Sequence, residues 1–168
     1  KYADIVTQSY HPVKHITTGE GGAILTNDSF LDSQVRLLRT HGITKDPNLI
    51  DDNHGPWYYE MHEPGFNYRI TDFQCALGIS QLKRLDTFVN KRRIIAKEYD
   101  RLLSDNIIIP HKNSKVKHAY HLYPLQINFQ KLRILKDKFF HDMKKFKIGL
   151  QVHYIPIHLQ PYYRKNFG

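Results

Sequence analysis

Ser9-Tyr10-His11-Pro12-Val13-Lys14-His15-Ile16-Thr17-Thr18-Gly19-Glu20-Gly21-Gly22 is the stretch on which the reading of this chain turns. A single lysine follows a hydroxyl by five residues and precedes a glycine-rich turn. Upstream, residues 3–9 are a short mixed apolar run that suits the end of a strand, and Ala23-Ile24-Leu25-Thr26 reads as another. Lys14 is therefore expected between two strands. An amine held rigidly in such a place suits a lysine that bonds to a phosphorylated aldehyde cofactor, and desolvation would favour the neutral amine that such a bond requires. The residues alone more readily describe a surface lysine beside a hairpin turn, since lysine is common and mostly exposed.

Outward from this stretch, Asn27-Asp28-Ser29 supplies capping side chains, and Phe30, Leu31, Val35, Leu37 and Leu38 recur at helical spacing until His41-Gly42 ends the helix. Residues 43–64 have no clear period. They hold prolines, asparagines and the cluster Trp57-Tyr58-Tyr59, so this segment is expected to be functional or covered by a partner. Thr71-Asp72-Phe73-Gln74 has the form of a capping box. From there Phe73, Ala76, Leu77, Leu82, Leu85, Phe88, Val89, Ala96, Tyr99 and Leu103 keep a period near 3.6, which predicts a long helix, little interrupted, bridging two domains. Ile107-Ile108-Ile109-Pro110 and residues 120–127 read as strands, residues 131–146 as a helix closed by Gly149, and residues 150–155 as a third strand, together a small mixed sheet with a helix. The division expected is residues 1–103 and residues 104–168. No repeat or low-complexity segment suggests a solenoid.

The 168 residues suit one ordinary domain or pieces of two, and 40% hydrophobic with 12% aromatic content is that of a globular protein. No run of eighteen apolar residues and no signal-peptide pattern at residues 1–6 is seen, so a cytoplasmic protein away from membranes is expected. Cys75 is the only cysteine, which leaves neither an internal disulfide nor a cysteine-rich metal site, and no metal is expected. The net charge of +9 raises polyanion binding. Its basic residues sit in Lys83-Arg84, Lys91-Arg92-Arg93 and Lys144-Lys145-Lys147, alternating with apolar positions as solvated helix faces do, so nucleic acid is not the expected partner. A phosphate-bearing small substrate fits the same sign of charge.

Four stretches, taken in order, carry a specific resemblance: Ser9 to Gly22; His41-Gly42-Ile43; Gly65-Phe66-Asn67-Tyr68-Arg69 running into Gln74-Cys75-Ala76-Leu77-Gly78; and Gln151-Val152-His153-Tyr154-Ile155-Pro156. Together they resemble the pyridoxal-phosphate-dependent nucleotide-sugar aminotransferases of the DegT type. Gln81-Leu82-Lys83-Arg84-Leu85 and the closing run from His153 to Tyr163 look most like its pseudaminic-acid branch. The resemblance implies an α/β fold, that of the fold-type I pyridoxal-phosphate transferases, with the C-terminal part of the large domain followed by a small α+β domain. It implies pyridoxal 5'-phosphate as cofactor, with Lys14 as the Schiff-base lysine and proton carrier and Ser9 on the cofactor phosphate. Asn67 would reach the phosphate of the neighbouring subunit's cofactor, making the enzyme a homodimer with shared active sites; the residue alone also reads as a turn asparagine. Arg69 would meet a substrate phosphate or carboxylate, or pair with an acid across the interface. His153 and Tyr154 would face the nucleotide sugar. The reaction implied moves an amino group from glutamate to C4 of a UDP-4-keto-6-deoxy-N-acetylhexosamine. Related sugar dehydratases have histidine where Lys14 stands, so lysine favours transamination.

The family's amino-terminal half, with the acid on the pyridine nitrogen and the ring-stacking aromatic, has no counterpart in these residues, and the resemblance also continues past Gly168 in relatives. The chain is thus expected to be a fragment with little or no activity by itself. Two further readings stand beside the enzyme: a non-catalytic or partner-dependent remnant, and a basic polyanion-binding domain.

Overall fold

The β-branched residues of residues 5–9 and 22–26 form two paired strands, as their composition favours. In the computed structural model, which describes residues 2–52, 54–103, 107–108, 113 and 115–168, β1 (Ile5–Ser9) and β2 (Gly22–Thr26) are antiparallel, with Ile5 opposite Thr26 and Ser9 opposite Gly22. Gly22 is required where it stands, because a Cβ there would lie 2.6 Å from the Gln8 carbonyl oxygen. The chain divides into two compact units, Lys1–Asn90 and Lys91–Gly168.

In the first unit, Asp28 caps α1 (Ser29–Arg39), its Oδ1 accepting the N–H groups of Phe30 at 2.8 Å and Leu31 at 3.0 Å. The helix ends where His41-Gly42 predicts: both residues are left-handed, at φ 60° and 68°, and the Gly42 N–H returns to the Leu37 carbonyl at 3.0 Å. The aperiodic segment that follows is closed as a ribbon, with β3 (Ile43–Thr44) paired to β4 (Glu60–Met61). The carboxylate of Glu60 ties it inward, accepting the N–H groups of Asp51 at 3.0 Å and Asp52 at 3.3 Å and meeting His62 Nε2 at 3.0 Å.

Thr71 and Gln74 form the capping box expected at the start of α2 (Asp72–Leu82). The single long helix expected from the period is instead two, because α3 (Leu85–Leu102) begins after a tight turn at Lys83 and Arg84. There the Arg84 N–H bonds three residues back to Gln81 at 2.9 Å, while the Lys83 N–H bond to Ile79 stretches to 3.3 Å. One such tightened turn shifts the helix without disturbing the apolar spacing, so periodicity alone does not reveal it. The boundary between the two units falls inside α3, which both share.

In the second unit, Arg92 donates to the Tyr120 carbonyl at 3.2 Å and Arg93 to the His118 carbonyl at 2.9 Å, fastening the segment before residue 123 onto α3. The Tyr123 hydroxyl donates to Asp100 at 2.6 Å. Burial first and Asp100 second push the Tyr123 hydroxyl well above its ordinary pKa. A gap of about 190 Å³ remains between α3 and this segment, beside Ile95, Tyr99 and His121.

Several expectations for this unit are corrected. The strand over residues 120–127 shrinks to β6 (Gln126–Ile127), paired antiparallel with β5 (Ile107–Ile108), because Tyr120 is left-handed at φ 49° and Pro124 has no N–H to give a ladder. Ile109 and Pro110 of the other expected strand lie outside the described residues. The helix over 131–146 starts later, as α4 (Lys136–Lys145), since Arg133 at φ 54° interrupts the winding. Before it, Asn128 closes a separate turn by accepting the Lys131 N–H at 2.9 Å. Lys147, left-handed at φ 59°, ends α4 in place of Gly149, with Ile148 N–H on the Met143 carbonyl at 3.0 Å and Lys147 N–H on that of Lys144 at 2.9 Å. Residues 150–155 form no ladder among the described residues, so the sheet of this unit is a two-stranded antiparallel ribbon. A 3-10 turn, Ile157–Leu159, and α5 (Pro161–Phe167) follow, the proline standing at the first helical position where its missing N–H costs nothing.

Among the described residues, Ala96 at 2% exposure is the one buried apolar side chain, and Thr18 at 4% is the buried polar one. α2 is apolar around much of its circumference, with Phe73, Leu77, Ile79 and Leu82 all exposed. A helix of that kind normally lies buried. Among the described residues no helix is long and apolar enough to cross a membrane.

Candidate active site

The hairpin of β1 and β2 carries the lysine on its connection, residues 10–21, and that connection is shaped by its own backbone. Tyr10 N–H bonds the Gly21 carbonyl at 2.8 Å, closing the base, and Thr18 N–H bonds the Tyr10 carbonyl at 3.0 Å, drawing the far limb inward. The Thr17 hydroxyl donates to the same carbonyl at 2.9 Å and accepts the Gly19 N–H at 2.9 Å. Lys14 N–H turns back onto the His11 carbonyl at 2.9 Å. His11 Nδ1 accepts the Val13 N–H at 3.3 Å, which leaves the proton on Nε2, 3.8 Å from the Glu20 carboxylate on the other limb. Lys14 is half-buried on a connection held at both ends. Ser9 closes β1 directly before it, exposed, its hydroxyl oxygen accepting the His11 N–H at 3.4 Å.

Asn67 and Arg69 come from a second turn, stitched to the end of α1. Phe66 N–H bonds the Leu38 carbonyl at 2.7 Å, His41 N–H the Phe66 carbonyl at 2.8 Å, and Tyr68 N–H the Arg39 carbonyl at 2.9 Å. Gly42 and Gly65 make this approach possible: a Cβ on Gly42 would collide with the Glu63 carbonyl, and one on Gly65 with the backbone of His41 and Gly42. The two glycine-bearing stretches singled out in the sequence thus explain each other. Asn67 forms a bridge with Thr40, and its Oδ1 accepts the Arg69 Nε–H at 2.9 Å. The pair is exposed.

Ser9, Lys14, Asn67 and Arg69 all belong to the first unit, whereas His153 and Tyr154 lie in the second. These last two are exposed, with ring centroids 3.7 Å apart.

The donor set of the first unit suits a phosphorylated aldehyde. A primary amine stands on a fixed turn, and a hydroxyl and an amide side chain, Ser9 and Asn67, are available to a phosphate. Sequence reasoning missed Thr18 and the second task of Gln74. Thr18 is buried, its hydroxyl donating to the Glu20 carbonyl at 2.7 Å. Gln74 reaches that same carbonyl from α2 at 2.8 Å. Periodicity carries no signal for either, since their partner is a backbone oxygen.

A family model described as the DegT/DnrJ/EryC1/StrS aminotransferase family matches residues 1–168. The chain is 41% identical over 169 residues to a UDP-4-amino-4,6-dideoxy-N-acetyl-beta-L-altrosamine transaminase of Campylobacter jejuni, with 99% of this chain and 42% of that protein covered. Among solved structures it is similar to Helicobacter pylori PseC, an aminotransferase involved in the biosynthesis of pseudoaminic acid, at 36% identity and a TM-score of 0.87 over 99% of this chain and 43% of that one. It is also similar to the putative sugar aminotransferase Spr1654 of Streptococcus pneumoniae, solved in PMP and PLP forms. For the PMP form the identity is 28% and the TM-score 0.83, over 97% of this chain and 42% of that one. The chain spans less than half the length of these relatives. Its α/β fold is that of the matching part of these aminotransferases, as the resemblance implied.

Proposed function

Because the chain belongs to the DegT/DnrJ/EryC1/StrS aminotransferase family, we propose that it carries the lysine-bearing part of a pyridoxal-phosphate-dependent nucleotide-sugar aminotransferase. The observation that carries this reading is Lys14, half-buried on a connection whose two ends are bonded to each other. Lys14 and Ser9 would hold pyridoxal 5'-phosphate, with Asn67 supplied across a homodimer. When bound, the cofactor supplies an electron-withdrawing ring that stabilises negative charge on the carbon losing its proton. Lys14 Nζ carries that proton as base and then as acid, a task that suits an amine on a short, fixed tether. Arg69, His153 and Tyr154 would orient the substrate, and the net positive charge favours its diphosphate.

The substrate we propose is a UDP-4-keto-6-deoxy-N-acetylhexosamine aminated at C4 with glutamate as donor, in the cytoplasm, for surface-glycan sugars. Support for the sugar comes from the activities for which the Campylobacter and Helicobacter relatives are named. Since the 168 residues span only part of such proteins, we propose that by themselves they turn over little or nothing. The exposed apolar faces favour the same view of a module that works with further polypeptide.

The test is to treat the protein with pyridoxal phosphate and borohydride and map the pyridoxyl label. The label is expected to concentrate on Lys14. A label spread over the exposed lysines would overturn the assignment.

A further inference from the structure

Both ends of the Gln74 amide are engaged at once. Its Oε1 accepts the Thr71 N–H at 2.9 Å and the Thr71 hydroxyl at 3.0 Å, which is half of the capping box of α2. Its Nε2 donates to the Glu20 carbonyl at 2.8 Å, fifty-four residues away in sequence. The two neighbours fix the amide's orientation: reversed, it would set two acceptors against each other at Glu20 and two donors at the Thr71 N–H. The cap needs only the oxygen, and glutamate serves there as well as glutamine. The donor is what requires an amide.

The carbonyl it grips belongs to the foot of the lysine connection. The Thr18 hydroxyl donates to the same oxygen at 2.7 Å, and Thr18 is wedged against α2, its Cγ2 lying 2.8 Å from where a Cβ on Gly78 would stand. A side chain at Gly78 would push this wedge out. From α2 the backbone runs back directly through Ile70 to Arg69 and Asn67. Gln74 thus joins the connection bearing Lys14, by a hydrogen bond, to the helix whose start follows the Asn67 turn.

We propose that Gln74 is a positioning residue for Lys14, its amide N–H clamping the lysine connection onto α2. The proposal rests on Lys14 being the cofactor lysine, as proposed above. The distinguishing variant is Gln74→Glu, which keeps the capping oxygen but places a carboxylate against the Glu20 carbonyl. Thr71→Ala does the converse, removing the cap and leaving the amide donor.

Hydrogen–deuterium exchange of the whole 168-residue chain reads the clamp directly. In Gln74→Glu the protected amides of Tyr10, Lys14 and Thr18 should exchange about five- to tenfold faster, as loss of one hydrogen bond implies, with α1 and α2 unchanged. In Thr71→Ala the first turn of α2 should loosen and the lysine connection should not. Unchanged exchange at residues 10–21 in Gln74→Glu, or exchange raised equally across the unit, would overturn the clamp. Borohydride labelling with pyridoxal phosphate reads the consequence: the share of label on Lys14 should fall several-fold in Gln74→Glu. Faster exchange with an undiminished Lys14 share would overturn the positioning role. Absence of Lys14 preference in the unaltered chain would overturn the cofactor assignment instead, while the exchange result still decides the clamp.

Discussion

At the scale of single residues, chemistry and backbone space set separate demands, and each can be tested by a substitution. Lys14→Arg keeps the positive charge on the connection but offers a guanidinium that is never neutral, so it cannot bond an aldehyde. Borohydride mapping of this variant should find no label at position 14, and its far-ultraviolet dichroism should match the unaltered chain. Gly42 answers to space alone. It is left-handed at φ 68°, and a Cβ there would collide with the Glu63 carbonyl. Gly42→Ala should cost about 1–3 kcal/mol in chemical denaturation, from strain and from separating the two glycine stretches. An alanine tolerated without loss would show that α1 and the Asn67 turn do not depend on this close approach. Neither glycine announces its partner in the sequence. The pairing of His41-Gly42 with Gly65 is a matter of backbone approach, since a Cβ on Gly65 would collide with the backbone of both residues.

At the scale of elements, the features legible in the sequence are those set by neighbours along the chain. Asp28 and Thr71 cap α1 and α2 because their partners lie within three residues. Thr71→Ala should therefore lower stability by about 0.5–2 kcal/mol, measured as a shift of the denaturation midpoint. The loop over residues 45–59 depends on Glu60, whose carboxyl is held below its ordinary value of 4.5, first by the Asp51 N–H and then by Asp52, His62 and Tyr58, against the opposing effect of burial. A carboxyl with a lowered pKa in the fold stabilises fully above the unfolded value and loses that contribution as pH falls through the folded one. Trp57 lies in this loop and is the only tryptophan, so its fluorescence should be steady near neutrality and change only below pH 4.5. Glu60→Gln should remove that acid transition. A fluorescence change that persists unaltered in Glu60→Gln would show that another group controls the loop.

At the scale of the molecule, Ala96 is the one buried apolar side chain among the described residues, while Phe73 is 91% and Ile94 69% exposed. Apolar surface on this scale is covered in stable soluble proteins. The isolated chain should accordingly bind an apolar dye, unfold with a shallow denaturant slope and associate with itself as concentration rises. A monodisperse monomer in sedimentation, with no dye binding, would contradict this. The same surface bears on activity: the module meets its relatives over nearly its whole length but spans less than half of theirs. An assay with glutamate and a UDP-keto-sugar should detect little turnover by the 168 residues, and ready turnover would refute the proposal that they need further polypeptide.

By itself the sequence determined the caps, the hairpin flanking Lys14, the glycine stop of α1 and the family. All of these depend on residue types a few positions apart or on motifs in a fixed order. The tertiary structure decided the break at Lys83 and Arg84, the left-handed stops at Arg133 and Lys147, and the meeting of Thr18, Gln74 and Glu20. The break leaves the apolar period intact, and the stops fall on residues with no intrinsic preference for that conformation. The clamp ends on a backbone carbonyl, and every residue has one, so only folding could show which carbonyl was taken.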